Sequence, residues 1–206
     1  PYTGREPRFY ATVLYNDALW EGRRIQTYAG GTDARQNFKR TGAVQSTTTG
    51  YFFRKFLTED QQGWEKNGSS HFGIFLRYAE VLLNKAEALA QMGDLANATI
   101  ELNKVRERAG VDPLESVTFE DIWNERRLEL AGEGDRWYDF VRVSYYDYEF
   151  VKAQLEGQKR NQVYSYGEAA SQYYESGTWA PDPSVTYYNS DSQGPKITPE
   201  IFYLPI

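Results

Sequence analysis

Between residues 76 and 143 the apolar positions fall into a helical rhythm that the flanking sequence lacks. Leu76, Ala79, Leu83, Ala86 and Ala90 are spaced by 3, 4, 3 and 4 residues, which sets them on one face of a helix. Gly93-Asp94 interrupts the pattern: glycine supplies the left-handed residue that ends a helix, and aspartate is a favoured N-cap for the next. The same spacing resumes at Leu95, Ala98, Leu102, Val105 and Ala109 and stops at Gly110. Two helices joined by so short a turn are expected to form an antiparallel hairpin. A third helix is predicted from Thr118, whose hydroxyl can accept the amide of Glu120 or Asp121. It runs through Ile122, Trp123, Leu128 and Leu130 to Gly134, and Asp135–Val143 continues helical after that break. Trp123 and Trp137 lie inside these patterns and are expected in the core.

Residues 1–75 and 144–206 read differently. Phe9–Tyr15 and Tyr51–Leu57 are short runs expected as strands or extended segments, between turns at Asn16-Asp17, Gly30-Gly31 and Gly68-Ser69. Lys152–Arg160 is expected as a short piece of helix. Pro181-Asp182-Pro183 marks a turn, and Ile197–Ile206, with prolines at 199 and 205, is expected to be extended. The fold class expected is mainly α: a tetratricopeptide-like helical hairpin plus further helices, long irregular loops and little β. A single domain spans 1–206, with a loop-rich segment 1–75, a helical core 76–143, and a loop-rich segment 144–206 ending in an extended strand.

Against the tetratricopeptide pattern, Ala98 and Leu102 occupy the second-helix Ala-x3-Phe positions and Ala86 the small first-helix position. Lys85 departs from the usual Leu, and no second copy follows at a period of ~34 residues. A lone hairpin cannot bury both its faces, so partner helices are expected from sequence outside this fragment. The start at Pro1 and the stop within Leu204-Pro205-Ile206 both read as cut ends.

Composition narrows the chemistry. Lys+Arg 23 against Asp+Glu 29 gives a net charge of −6, which argues against nonspecific binding to nucleic acid or to an anionic lipid surface. Cysteine is absent and His71 is the only histidine, which excludes disulfides, thiol chemistry and multi-histidine metal sites within the chain. No run approaches the ~18 apolar residues of a membrane span. Gly30-Gly31-Thr32-Asp33 lacks the Lys-Ser/Thr ending of a phosphate loop and reads as turn chemistry. Asp135 and Asp139 lack the spacing of a calcium loop, and pairing of Arg136 with Asp139 or Glu133 is expected instead. Glu125 and Glu129 stand one helical turn apart with Arg126 and Arg127 between them, so ion-paired structure is expected rather than an acid/base pair. No catalytic residue, metal or cofactor is assigned.

Aromatic residues make up 16% of a chain whose mean hydropathy is −0.70. Trp20, Tyr28, Tyr51, Trp64, Trp179 and Tyr187 lie in the loop-rich zones beside Asn, Asp, Arg and Gln. A sugar ring has apolar C–H faces and a polar rim, so flat rings flanked by amides and charges suit it. The candidate ligand site is therefore Trp20, Tyr28, Tyr51 and Trp64 as stacking residues, with Asn16, Asp17 and Arg24 as polar neighbours. The competing reading is that each ring only packs its loop onto the helices.

Leu76-Arg77-Tyr78-Ala79-Glu80-Val81-Leu82-Leu83-Asn84-Lys85-Ala86-Glu87-Ala88 resembles the "RYAEvLLnyAEA" signature of the SusD/RagB family. Leu102–Gly110 is similar to its "LNkVRaRAG" helix, and Glu125–Ala131 with Glu133–Asp139 to its "ERRrELAfEGhRWfDL" run. Pro7–Val13 resembles "DPRfyaTv", with Glu6 in place of Asp, and Tyr203–Ile206 is similar to "YLpIP". The resemblance covers nearly all of this sequence and corresponds to the C-terminal portion of a typical member. It implies a surface-exposed outer-membrane lipoprotein, anchored through an N-terminal lipid outside this fragment. Such a protein binds glycans, or sometimes peptides, without catalysis and delivers them to a SusC-like TonB-dependent transporter. Two alternatives are a helical-repeat scaffold for a protein or peptide partner and, further off, a glycoside hydrolase.

Overall fold

The computed structural model describes residues 2–27, 31–33, 50–57, 59, 73–157, 162–163 and 188–189. Its elements run α1 (Pro7–Thr12), β1 (Val13–Leu14), β2 (Leu19–Trp20), β3 (Arg23–Arg24), β4 (Phe52–Phe53), α2 (Tyr78–Gln91), α3 (Leu95–Arg108), α4 (Phe119–Glu129), α5 (Asp135–Ser144), α6 (Tyr148–Glu156), β5 (Gln162–Val163) and β6 (Tyr188–Asn189). The protein is mainly α, and among the described residues the strands form three two-stranded antiparallel ladders, β1–β4, β2–β3 and β5–β6. The expected turns at Gly68-Ser69 and 181–183, the extended run 197–206 and His71 lie outside the described residues.

The chain divides into two compact units. One is drawn from Gly4–Thr12 and Arg54–Trp137, the other from Pro1–Thr3, Val13–Phe53 and Tyr138–Ile206.

In the first unit the predicted hairpin is present as α2 and α3. Ala79, Leu82, Leu83 and Ala86 of α2 meet Ala98, Leu102 and Val105 of α3, with Val117, Ile122 and Leu130 completing the cluster. Ala86 and Ala98 are fully buried, and side chains this small allow the two helices to approach closely. Each larger member, such as Leu83, contributes roughly 1.5–3 kcal/mol by leaving water. Both helices end alike. At Gly93 (φ 83°) the amide of Asp94 reaches Leu89 O and that of Gly93 reaches Ala90 O. At Gly110 (φ 68°) Val111 and Gly110 repeat these bonds to Arg106 O and Glu107 O. A side chain with a Cβ would be strained at either glycine.

Asp94 then caps α3 by accepting the Asn97 amide at 3.1 Å. Thr118 caps α4: its hydroxyl accepts the Asp121 amide, while the Asp121 carboxylate accepts the Thr118 amide. Such a reciprocal pair is worth about 1 kcal/mol. The loop between α3 and α4 is clamped by Asn103, whose amide exchanges two hydrogen bonds with the backbone of Leu114.

Several expectations need correction. Phe9–Tyr15, expected as a strand or extended segment, is helical as far as Thr12, within α1, and a strand only at Val13–Leu14. Pro7 fits the first helical position because its fixed φ suits the turn and its missing N–H would be unpaired there anyway. Leu76, Leu95 and Leu128 match the helical spacing but are exposed. Trp137, expected in the core, is 40% exposed, because the buried residues of α5 are Asp139, Phe140, Val141 and Val143 in its later turns. The helix expected at Lys152–Arg160 begins earlier, at Tyr148, because Asp147 caps it by accepting the Phe150 amide at 3.0 Å.

Candidate functional site

In the second unit, two short ladders position the sequence-predicted site residues. The β2–β3 hairpin pairs Leu19 with Arg24 and Trp20 with Arg23. It sits over a small core of Leu14, Ala18 and Ile25, against which Tyr15, Trp20 and Phe52 pack. Asn16 is buried, and its side-chain oxygen accepts the Thr27 amide at 2.9 Å. Asp17 holds a left-handed backbone (φ 72°) at the expected turn, and Arg24 donates to both its carboxylate and its carbonyl. Arg23 forms a two-pronged pair with Asp33 at 2.7 and 2.8 Å.

Tyr51 stands apart from these. It is 42% exposed, its hydroxyl lies 3.3 Å from that of Tyr2, and the two rings meet edge to face. Tyr2 in turn packs on Tyr15 with ring centroids 4.4 Å apart. Trp20, Tyr51, Asn16, Asp17 and Arg24 thus belong to the same unit; Tyr28, Trp64, Trp179 and Tyr187 lie outside the described residues. Tyr2 and Tyr15 were not among the sequence candidates. The signal available was the alternation Val13-x-Tyr15 and Tyr51-x-Phe53, which puts those rings on one side of each strand.

The charged run of α4 belongs to the first unit and is ion-paired as expected, but by arginines from outside α4 rather than by Arg126 and Arg127. Glu125 accepts from Arg8 and Arg106, and Glu129 from Arg8, Arg77 and Arg108. Glu133 accepts from Lys55 and Arg77. Lys55 also donates to the carbonyls of Glu129 and Ala131, and Arg77 to that of Glu129, so cations close the C-terminal end of α4. Arg126 is buried and donates to Asn84 at 2.6 Å. Carboxylates engaged by so many guanidiniums hold helices together and are poorly placed to exchange protons with a substrate.

Burial pushes the Glu129 and Glu133 carboxyls upward. Hydrogen bonds from Arg77, joined by Arg8 at Glu129 and by Lys55 at Glu133, outweigh that push and hold both below the ordinary glutamate value. The unfolded chain therefore takes up protons first as the pH falls through about 4.3. Stability from these two groups is fully present above that value and is lost as pH falls through their folded values. Urea midpoints are expected to be level from pH 7 to about 5 and to decline below it. A midpoint unchanged down to about pH 3 would show that the network contributes nothing to pH-dependent stability.

A model of the SusD family matches residues 1–206. SusD-like protein P25 of Formosa agariphila is 42% identical over 148 residues, which cover 64% of this chain and 28% of that protein. SusD-like protein P38 of the same organism is 40% identical over 84 residues, 34% of this chain and 17% of its own length. Among solved structures, a SusD-like carbohydrate-binding protein from Bacteroides fragilis superposes with a TM-score of 0.63 at 26% identity, covering 90% of this chain and 36% of its own. A second SusD-like protein from Bacteroides fragilis gives 0.61 at 27% identity, covering 82% and 32%. The matched part thus amounts to between 17% and 36% of the length of these relatives. With its whole length matched by the family model, and its helical hairpin and charged α4 where the family resemblance put them, the chain belongs to the SusD family.

Proposed function

We propose that this protein captures an oligosaccharide or polysaccharide at the bacterial cell surface, leaves it chemically unchanged, and delivers it to a SusC-like TonB-dependent transporter in the outer membrane. The observation that carries this reading is the full-length family match, together with the likeness to a carbohydrate-binding SusD-like protein. The glycan would be held by Trp20, Tyr28, Tyr51 and Trp64, with Asp17 and Arg24 at the polar rim and the buried Asn16 fixing the turn that carries them. A lipid anchor on the full-length protein would hold it at the outer membrane. The engagement of Glu125 and Glu129 by arginines favours binding over hydrolysis.

A second reading, a scaffold for a protein or peptide, has one observation in its favour. Tyr78, Val81 and Met92 are exposed along one side of α2 and its C-cap, away from the hairpin core.

Calorimetry of the full-length protein against a panel of neutral oligosaccharides separates the two. The expected result is binding of modest affinity that changes little between low and high salt, because stacking and neutral hydrogen bonds are not screened. Absence of binding to any glycan, with binding to a peptide library instead, would reject capture of sugars in favour of the scaffold.

A further inference from the structure

Helix α1 is held differently from the helices around it. It has six residues, none of them buried, and the apolar cluster of the α2–α3 hairpin contains no side chain from it. A helix of that length is not stable by itself in water. Its attachment is polar. Arg8 is 12% exposed; its Nη1 donates to Glu125 at 2.5 Å and to Glu129 at 2.9 Å, and its Nη2 donates to Glu6 at 2.8 Å. Arg54 donates to the Tyr10 carbonyl at 3.0 Å, and the amides of Arg54 and Lys55 donate to that of Thr12 at 2.8 and 3.3 Å. The fit is imperfect at one atom. Arg8 Nε is buried with no hydrogen-bond partner among the described residues, a cost that docking incurs and undocking returns.

We propose that α1 is an electrostatic latch: it opens from the first unit as one piece when Glu125 and Glu129 lose their charge, and the hairpin core stays folded. The surrounding charges set the direction. Arg106 also faces Glu125, and Arg77 and Arg108 also face Glu129. Lys55, which donates to the Glu129 carbonyl, is paired with Glu133 beyond them. Protonation of the two carboxylates leaves Arg8 among cations that keep their charge, so attraction gives way to repulsion. Arg8 retains Glu6, but that residue belongs to the segment that leaves. Burial pushes the Glu129 carboxyl up, and the bonds from Arg77 and Arg8 outweigh that push and hold it below the ordinary value. The latch is therefore shut at neutral pH and opens as the pH falls below about 4.3. Its opening is local, cheaper than unfolding the whole unit, because the hairpin cluster is left in place. It bares two carboxylates and frees the chain ahead of β1.

Hydrogen exchange of the full-length protein, read by mass spectrometry on peptides from α1 and from α2–α3, tests the latch. Each rate is divided by that of the unstructured chain at the same pH. At pH 7 α1 is expected to be protected about tenfold less than α2–α3, or less still, as suits a local opening beside a global one. At about pH 3.5 α1 should exchange at the unstructured rate while α2–α3 keeps its protection. Arg8→Ala should bring α1 to that rate already at pH 7 and leave α2–α3 unchanged. Arg8→Lys keeps a charge without the two-pronged fork and should fall between. Glu107→Ala, at an exposed position of α3, should leave both regions as in the wild type. Equal protection of α1 and α2–α3 at pH 7, or loss of both at the same pH, would overturn the latch. So would an Arg8→Ala variant whose α2–α3 peptides also lose protection, since α1 would then be part of the core. The wild-type pH series decides the matter even if that variant fails to fold.

Discussion

Replacement of Glu129 by alanine is expected to lower the unfolding free energy by about 3–5 kcal/mol, the usual cost of removing one partner from a buried ion-paired group. The carboxylate is almost wholly buried and takes hydrogen bonds from Arg8, Arg77 and Arg108. Its loss leaves three guanidiniums turned toward one another. Arg8 retains Glu6 and Glu125, and Arg77 retains Glu133, but Arg108 loses the partner that ties it to α4. Glu107→Ala, on the exposed side of α3, is the control and should change stability by no more than about 0.5 kcal/mol. Urea unfolding followed by circular dichroism reads both. A Glu129→Ala midpoint equal to that of Glu107→Ala would show the cluster to be dispensable for stability.

A similar loss, about 3–5 kcal/mol, is expected for Trp123→Ala. The indole is 1% exposed near the middle of α4, its ring 6.3 Å from that of Phe119. The Arg136 guanidinium lies 3.7 Å above its face and donates to its carbonyl at 3.3 Å, so the ring also seats the first turn of α5. Truncation removes buried area, leaves a cavity and forfeits a cation–π contact worth about 0.5–2 kcal/mol. Trp123→Phe keeps a ring under Arg136 and should cost clearly less. If the two variants unfold at the same urea concentration, the volume of the indole is not what the site requires. Against a typical total of about 5–15 kcal/mol, either alanine variant could leave the protein only marginally folded.

The helices that could be read in advance are those whose instructions are local. The spacing of Ala79, Leu83 and Ala86, the glycines at 93 and 110, and the caps Asp94 and Thr118 all act within a few residues of their effect. α1 was misread because its support is distant: Arg8 reaches Glu125 and Glu129, and Arg54 binds the carbonyl of Tyr10. No periodicity within six residues can report such partners. Ion pairing of Glu125 and Glu129 was expected from Arg126 and Arg127 beside them, but their partners are Arg8, Arg77, Arg106 and Arg108, all from outside α4 and illegible from local sequence.

For the candidate site, sequence could nominate Tyr51 and Trp20 as aromatic residues among polar loops. It could not say that Tyr51 is met by Tyr2 while Trp20 packs on a core. That difference depends on strand register, which joins residues 13–14 to 52–53 across a long insertion. Asn16 and Asp17 were read correctly as turn residues, yet their hydrogen bonds are spent on the turn and its hairpin.

The attachment of α1 also sets an order of events during synthesis. Arg8 leaves the ribosome before its carboxylate partners, which lie 117 and 121 residues further along the chain. Closing a loop of that length costs roughly 4 kcal/mol in chain entropy before any contact rewards it. The α2–α3 hairpin, joined by a short turn, has no such debt and can assemble as soon as it is made. α1 is therefore a late arrival that docks onto helices already in place, and until α4 is complete it remains open to proteases and chaperones.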